Sequence, residues 1–175
     1  MARIRKFTAY RKLERPYTRI SKYRKKSFIR TNPRSLIVRY SMGNPKGKYD
    51  YTMKLCADKA LNIRDNALES ARQTSLKILE PLGKANFNFK LRVYPFHVLR
   101  ENPLAAGAGA DRFSTGMKCA FGKPIGQAAR LKKGQPIFEL GINKNNLKSA
   151  KKAMTRAKSK LPCSCIIDVK ENKKA

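Results

Sequence analysis

The sequence predicts an α+β fold: two helices packed on a mainly antiparallel or mixed sheet, behind an extended basic N-terminal arm. Three observations predict it. Apolar residues recur at helical spacing in two windows, 64–79 and 146–160. Alternating or β-branched runs bounded by Gly, Pro and Asn mark the stretches around them. The first 34 residues show neither period for long and are dominated by charge.

Residues 1–34 hold 13 Lys or Arg and one acid, Glu14. Phe7, Tyr10, Tyr17, Tyr23 and Phe28 stand between the charges. Ile4, Phe7, Tyr10 and Leu13 begin a helix face, which Pro16 breaks after about three turns. Such a segment is expected to be an arm that orders on a polyanion, its rings stacking on bases or pinning it to its own domain. The globular domain is expected over 35–170, with a long loop at 101–117, and a basic tail over 171–175 closes the chain.

Within the domain, 35–40 is a β-branched strand candidate and Met42-Gly43-Asn44-Pro45-Lys46-Gly47 a turn. A strand at 51–57 precedes the first helix, 64–79, with Asn62 as its cap and Asp65 in its first turn. Ala67, Leu68, Ala71, Ile78 and Leu79 form its apolar stripe, and Pro81 and Gly83 stop it. Residues 86–94 alternate: Phe87, Phe89, Leu91 and Val93 on one face, Asn88, Lys90 and Arg92 on the other. Residues 97–100 are expected to continue that strand past Pro95. Strands are expected next at 127–131 and 136–142. The second helix, 146–160, sets Leu147, Ala150, Met154, Ala157 and Leu161 opposite Lys148, Lys151, Lys152, Arg156, Lys158 and Lys160. A strand at 163–169 completes the domain.

The 41 Lys and Arg against 11 Asp and Glu leave a formal charge of +30, for which a polyanion is the natural partner: nucleic acid, an anionic membrane surface or a polyanionic protein tail. No apolar run approaches the roughly 18–20 residues of a membrane-spanning helix. The start, Met1-Ala2-Arg3-Ile4-Arg5-Lys6, has no apolar stretch of a secretory signal. Cys56, Cys119, Cys163 and Cys165 provide one Cys-x-Cys, and His97 is the sole histidine. That spacing argues for free thiols in a reducing compartment rather than a zinc site. No metal or other cofactor is expected.

Catalytic signals are weak. His97 has apolar neighbours and no evident partner, so a structural role is expected. Glu101 and Asp111 are explained by charge pairing among so many bases. Gly107-Ala108-Gly109 is no dinucleotide fingerprint, because Arg112 occupies the slot of the third glycine. Gly122-Lys123-Pro124 is no phosphate loop. The chain is therefore not expected to be an enzyme. An RNA-modifying enzyme using His97 with Glu101 or Asp111, and a duplex-DNA-compacting protein, are the rival readings. The second rival would have no need of the Gly- and Ala-rich loop.

Several motifs together resemble one family. Asn66-Ala67-Leu68-Glu69-Ser70-Ala71-Arg72, Pro95-Phe96-His97-Val98-Leu99-Arg100-Glu101-Asn102, and Ala106-Gly107-Ala108-Gly109-Ala110-Asp111-Arg112 with Gly116-Met117 occur in order. Phe121-Gly122-Lys123-Pro124-Ile125-Gly126 comes after them, and Arg15-Pro16-Tyr17-Thr18-Arg19 and Met42-Gly43-Asn44 precede them. This series is similar to the universal large-subunit ribosomal protein family numbered sixteen in bacteria and ten-e in archaea and eukaryotes. The Ala-Gly-Ala-Gly-Ala-Asp-Arg form resembles the archaeal type. Pro103, Lys118 and Ser41 depart from the family's pattern. The resemblance implies an α/β-hammerhead-like fold and a non-enzymatic structural role in translation, on the cytoplasmic ribosome. It implies large-subunit rRNA, tRNA and neighbouring ribosomal proteins as partners, with no membrane or small-molecule substrate. It also implies a place beside the tRNA accommodation corridor, with the central loop directed toward the peptidyl-transferase centre and tRNA acceptor ends.

Lys and Arg supply affinity for phosphates, and Arg also stacks on bases. The residues expected to bind rRNA begin in the arm: Arg3, Arg5, Lys6, Arg11, Lys12, Arg15, Tyr17, Arg19, Lys22, Tyr23, Arg24, Lys25, Lys26, Arg30 and Arg34. In the domain they are Arg64, Arg72, Lys90, Arg92, Arg100, Lys118, Phe121, Gly122 and Lys123, then Lys148, Lys151, Lys152 and Arg156 on the second helix. Asn102, Leu104, Ala105, Ala106, Gly107, Ala108, Gly109, Ala110, Asp111 and Arg112 are expected to form the tRNA-proximal loop.

Overall fold

Alternation decides the larger sheet. Phe87, Phe89 and Leu91 of one strand, Phe138, Leu140 and Ile142 of a second, and Met53, Leu55 and Ala57 of a third are buried on a common face. Phe89 and Phe138 stack there, 5.1 Å between centroids and 13° between planes. Each of the larger of these side chains contributes about 1.5–3 kcal/mol by leaving water, so this face organises the domain.

The computed structural model describes residues 5–12, 33–101 and 123–172. Their order is β1 (Ser41–Gly43), β2 (Tyr51–Ala57), β3 (Leu61–Arg64), α1 (Asp65–Leu79), β4 (Phe87–Leu91), β5 (His97–Glu101), β6 (Lys123–Leu131), β7 (Pro136–Ile142), α2 (Leu147–Lys160) and β8 (Cys165–Glu171). The strands form a five-stranded sheet, β1-β4-β7-β2-β8, and a three-stranded one, β3-β6-β5. Every pairing is antiparallel. The α+β class stands, with two sheets where one was expected.

The helices pack on each other. Leu68, Ala71, Ser75 and Leu79 of α1 and Ala150, Ala153, Met154 and Ala157 of α2 are buried. The small residues permit close approach, and the Ser75 hydroxyl donates to Ala153 O at 3.1 Å across the interface. The expected stripe on α1 shifts: Ala67 and Ile78 are only half-buried, while Asp65, Glu69 and Arg72 are buried.

Four local expectations are corrected. Residues 35–40 form no strand, because side chains of α1 take their amides: Leu36 N–H donates to Asp65 Oδ2 at 3.1 Å and Val38 N–H to Glu69 Oε2 at 3.3 Å. Met42 and Gly43, expected in a turn, belong to β1 and pair with Phe89 and Asn88. Asn62 is no cap; it lies in β3, Arg64 holds the cap position, and Asp65 accepts Asn66 N–H at 2.9 Å. Finally, 97–100 does not continue β4. Past Pro95 the chain leaves the large sheet, and β5 pairs with β6 in the small one, as a residue without an N–H favours.

Candidate nucleic-acid interface

Among the described residues, α2 carries a dense run of exposed charge. Lys148, Lys151, Lys152, Arg156, Lys158 and Lys160 all face solvent. None lies within ion-pair distance of a carboxylate among the described residues. The opposite face is packed through Ala150, Ala153, Met154 and Ala157, so the helix's orientation is fixed by apolar burial and the cations take the outer side by periodicity. A cationic ridge with no counter-ion in reach among the described residues suits phosphates.

The open face of the large sheet differs. Register sets Lys90 and Lys54 opposite Glu139, and Lys54 also opposite Asp168. Arg92 Nε lies 3.3 Å from Glu139 Oε2. Lys90 and Arg92 therefore sit in a surface with acids of its own, a weaker phosphate ligand than α2.

The start of the arm is docked on the domain. Residues Phe7–Ala9 make a short 3₁₀ turn, and Arg5 pairs with Glu101 at the end of β5. The Tyr10 hydroxyl donates to the same carboxylate at 3.1 Å. Asn62 clamps residues 10–12: its backbone N–H donates to Arg11 O at 3.1 Å, and Nδ2 to Tyr10 O at 3.3 Å and Lys12 O at 2.7 Å. The arm's first part is thus held by protein contacts, with Tyr10 in the pinning role that was one of the two expected for the arm's rings. Lys6, Arg11 and Lys12 remain exposed along it. Arg64 turns inward to this docking, its guanidinium 5.4 Å from the Tyr10 centroid and Nη1 donating to Arg5 O at 3.0 Å.

Arg72 is a correction. Its guanidinium is 7% exposed and forks onto Glu69, Nε to Oε2 at 2.8 Å and Nη2 to Oε1 at 2.6 Å. It cannot face RNA in this fold. Of the other expected ligands, Arg34 and Lys123 are exposed and Arg100 is half-buried, with burial lowering the Arg100 pKa. Lys123 opens β6 opposite Glu101.

His97 is buried, and burial, then the nearby Arg130 charge, pushes its pKa below the ordinary imidazole value. Among the described residues its Nδ1 has no hydrogen-bond partner. Glu101 is occupied by Arg5 and Tyr10, the charge pairing expected of it. Cys56, Cys163 and Cys165 are free thiols, the last two with sulfurs 3.5 Å apart. Among the described residues no group of three or more His, Cys, Asp or Glu is placed to hold a metal, and no helix is long and apolar enough to cross a membrane.

Arg3, Arg15, Tyr17, Arg19, Lys22, Tyr23, Arg24, Lys25, Lys26, Arg30, Lys118, Phe121 and Gly122 lie outside the described residues, as do the tail 173–175 and the whole tRNA-proximal loop, 102–112. Sequence reading missed Arg39, which is exposed beside Tyr40, and the exposure of Tyr94 and Phe96. The signal for the last two was present, since the alternation of 86–94 continues in phase through residue 96.

Residues 18–168 match the ribosomal protein L16p/L10e family. The chain is 42% identical over 171 residues to the large ribosomal subunit protein uL16 of one strain of Methanococcus maripaludis, covering 97% of this chain and 96% of that protein. Two proteins of the same description from other strains are 42% and 41% identical, covering 95% and 97% of this chain and 94% and 96% of their own lengths. With a match of this extent the chain belongs to the ribosomal protein L16p/L10e family, whose members are structural, non-enzymatic proteins of the large ribosomal subunit.

Proposed function

We propose that this chain binds large-subunit rRNA chiefly through its basic arm and the outer face of α2. The segment 102–112 then reaches the tRNA accommodation corridor, toward the peptidyl-transferase centre and acceptor ends. As a member of its family the chain is a structural constituent of the large subunit of the cytoplasmic ribosome, alongside rRNA and other ribosomal proteins. The observation that carries the rRNA part is the α2 ridge: six exposed cations and no carboxylate in reach among the described residues. A helix face so charged is self-repelling alone, and a phosphate backbone relieves that repulsion while releasing counter-ions.

Binding of the isolated chain to a large-subunit rRNA fragment is therefore expected to be steeply salt-dependent. A contact set of roughly six to ten phosphates loses about three to five decades of affinity between about 50 and about 200 mM salt. Replacing Lys151, Lys152 and Arg156 together with Gln should reduce the log–log slope by about 3. Packing stays intact, because those side chains lie opposite the buried alanines. A nearly flat titration, or an unchanged slope in the triple variant, defeats this assignment.

The loop is testable separately. Residues 105–110 are four alanines and two glycines, with almost no side chain to bury, so backbone close to RNA is what they offer. Deleting 104–110 is expected to leave subunit incorporation near normal and to slow single-turnover peptide transfer about tenfold, a positioning loss of about 1.4 kcal/mol. Normal rates with normal incorporation would make the loop a passive connector. Failed incorporation would make it an rRNA anchor.

A further inference from the structure

Residues 91–97 alternate without a break: Leu91, Val93, Pro95 and His97 are buried, while Arg92, Tyr94 and Phe96 are exposed. Arg92 N–H still donates to Ile137 O of β7 at 2.8 Å, but 92–96 lie outside the strands, so the later part of this regularity is not imposed by a strand ladder. At its end the Phe96 N–H donates to Tyr94 O at 3.0 Å, closing a one-residue turn around Pro95. Proline's fixed φ suits the central position of such a turn. The turn draws together two side chains that an extended strand holds about 6.6 Å apart. Their ring centroids are 4.6 Å apart at 49°. Tyr94 stacks in turn on Tyr40, 5.4 Å and 21° away. The result is a ladder of three rings whose outer member, Phe96, is 79% exposed, and whose middle member, Tyr94, is 48% exposed.

We propose that Phe96 and Tyr94, backed by Tyr40, form a stacking platform for one unpaired nucleobase of the RNA that the chain binds. The inference rests on the rRNA-binding reading and adds to it a site for a base rather than for phosphates. An aromatic face accepts any base, and only a splayed, unpaired base has a free face to offer. The surroundings favour RNA over an apolar protein segment. Arg39, next to Tyr40 in the chain, is exposed and has no carboxylate partner among the described residues, and Arg92, two residues before Tyr94, is exposed although it also pairs with Glu139. A protein-docking patch excludes charge from its centre, whereas a nucleotide brings a phosphate to meet it.

The chain contains no tryptophan, so F96W in the full-length protein introduces a unique fluorophore where the base would stack. Single-stranded oligoadenylate should quench its emission, and an RNA duplex of equal phosphate count should not. Anisotropy of the labelled oligonucleotide tracks binding independently. F96L, which keeps an apolar side chain and lies outside the core, should weaken oligoadenylate binding about 5- to 100-fold with the salt slope unchanged. Y94L should do the same. Binding by anisotropy without quenching, or equal quenching by duplex, overturns the platform and leaves the rRNA reading standing. No binding of either RNA at low salt overturns both. Emission in the assembled subunit that is blue-shifted and unquenched would place a protein neighbour on Phe96 and overturn the base assignment.

Discussion

Replacing Arg72 with Met is expected to lower the unfolding free energy by about 3–5 kcal/mol at neutral pH, the usual cost of leaving one charge of a buried pair unpartnered. Glu69 would keep the Val38 N–H at 3.3 Å and Gln73 Nε2 at 3.0 Å, but lose both arms of the guanidinium fork. The extended segment before β1 and β1 itself should loosen with it, since Glu69 holds the Val38 N–H and Arg72 Nη1 lies 3.3 Å from Met42 Sδ. The hydrogen bonds from Arg72 hold the Glu69 carboxyl below the ordinary carboxylate pKa against the opposing effect of burial. A lowered native pKa means that this stabilisation is complete above the unfolded value, about 4.3, and is lost as pH falls through the native one. The deficit of R72M should therefore be largest at neutral pH and shrink in acid, and E69Q/R72M should recover most of it. Denaturant midpoints at pH 7 and in mild acid measure this. A neutral-pH loss under about 1 kcal/mol would show that the pair is not what holds the segment.

G43A should be comparably damaging, by roughly 2–6 kcal/mol from a strained backbone plus a forced shift of its neighbour. Gly43 has φ +84°, and an added Cβ would lie 2.1 Å from the carbonyl oxygen of Phe87. That oxygen already accepts the Asn44 N–H at 2.9 Å, so it is not free to move. Because Phe87 is in the core, relief at residue 43 would pull β1 away from β4. Thermal unfolding of G43A beside G134A separates the two contributions. Gly134 shares a positive φ, +76°, but has open space around it, so G134A carries the conformational cost alone. Equal losses in the two variants would remove the steric account.

Much of this was readable from residue order. Both helices, the alternation of β4 and the apolar runs of β2 and β7 appear near their expected places, because a half-buried element repeats its pattern with its own period. The Met42-Gly43-Asn44 motif was recognised without its reason; the close approach of Phe87 to Gly43 provides one. Leu61–Arg64 was missed as a strand because four residues show no period, and its Asn62 has the chemistry of a cap. The same amide instead fastens residues 10–12, a contact between segments fifty residues apart in the chain.

Charge total, element type and family membership are sums or local patterns, and residue order alone carries them. Which cations are free to meet a phosphate is not such a quantity. Arg72 and Arg156 look alike in a helical sequence, each one or two turns from small apolar residues. The fold sets Arg72 against the extended segment at 33–42, where Glu69 meets it in a dry contact, and leaves Arg156 on the open side of α2. Tyr94 and Phe96 follow the outward phase of the alternation, but only the turn at Pro95, where the chain passes from one sheet to the other, brings their rings together, with Tyr40 of a distant segment behind them. In each case the outcome depends on what a distant segment covers, because desolvation and ion pairing are properties of proximity in space, not of neighbours along the chain.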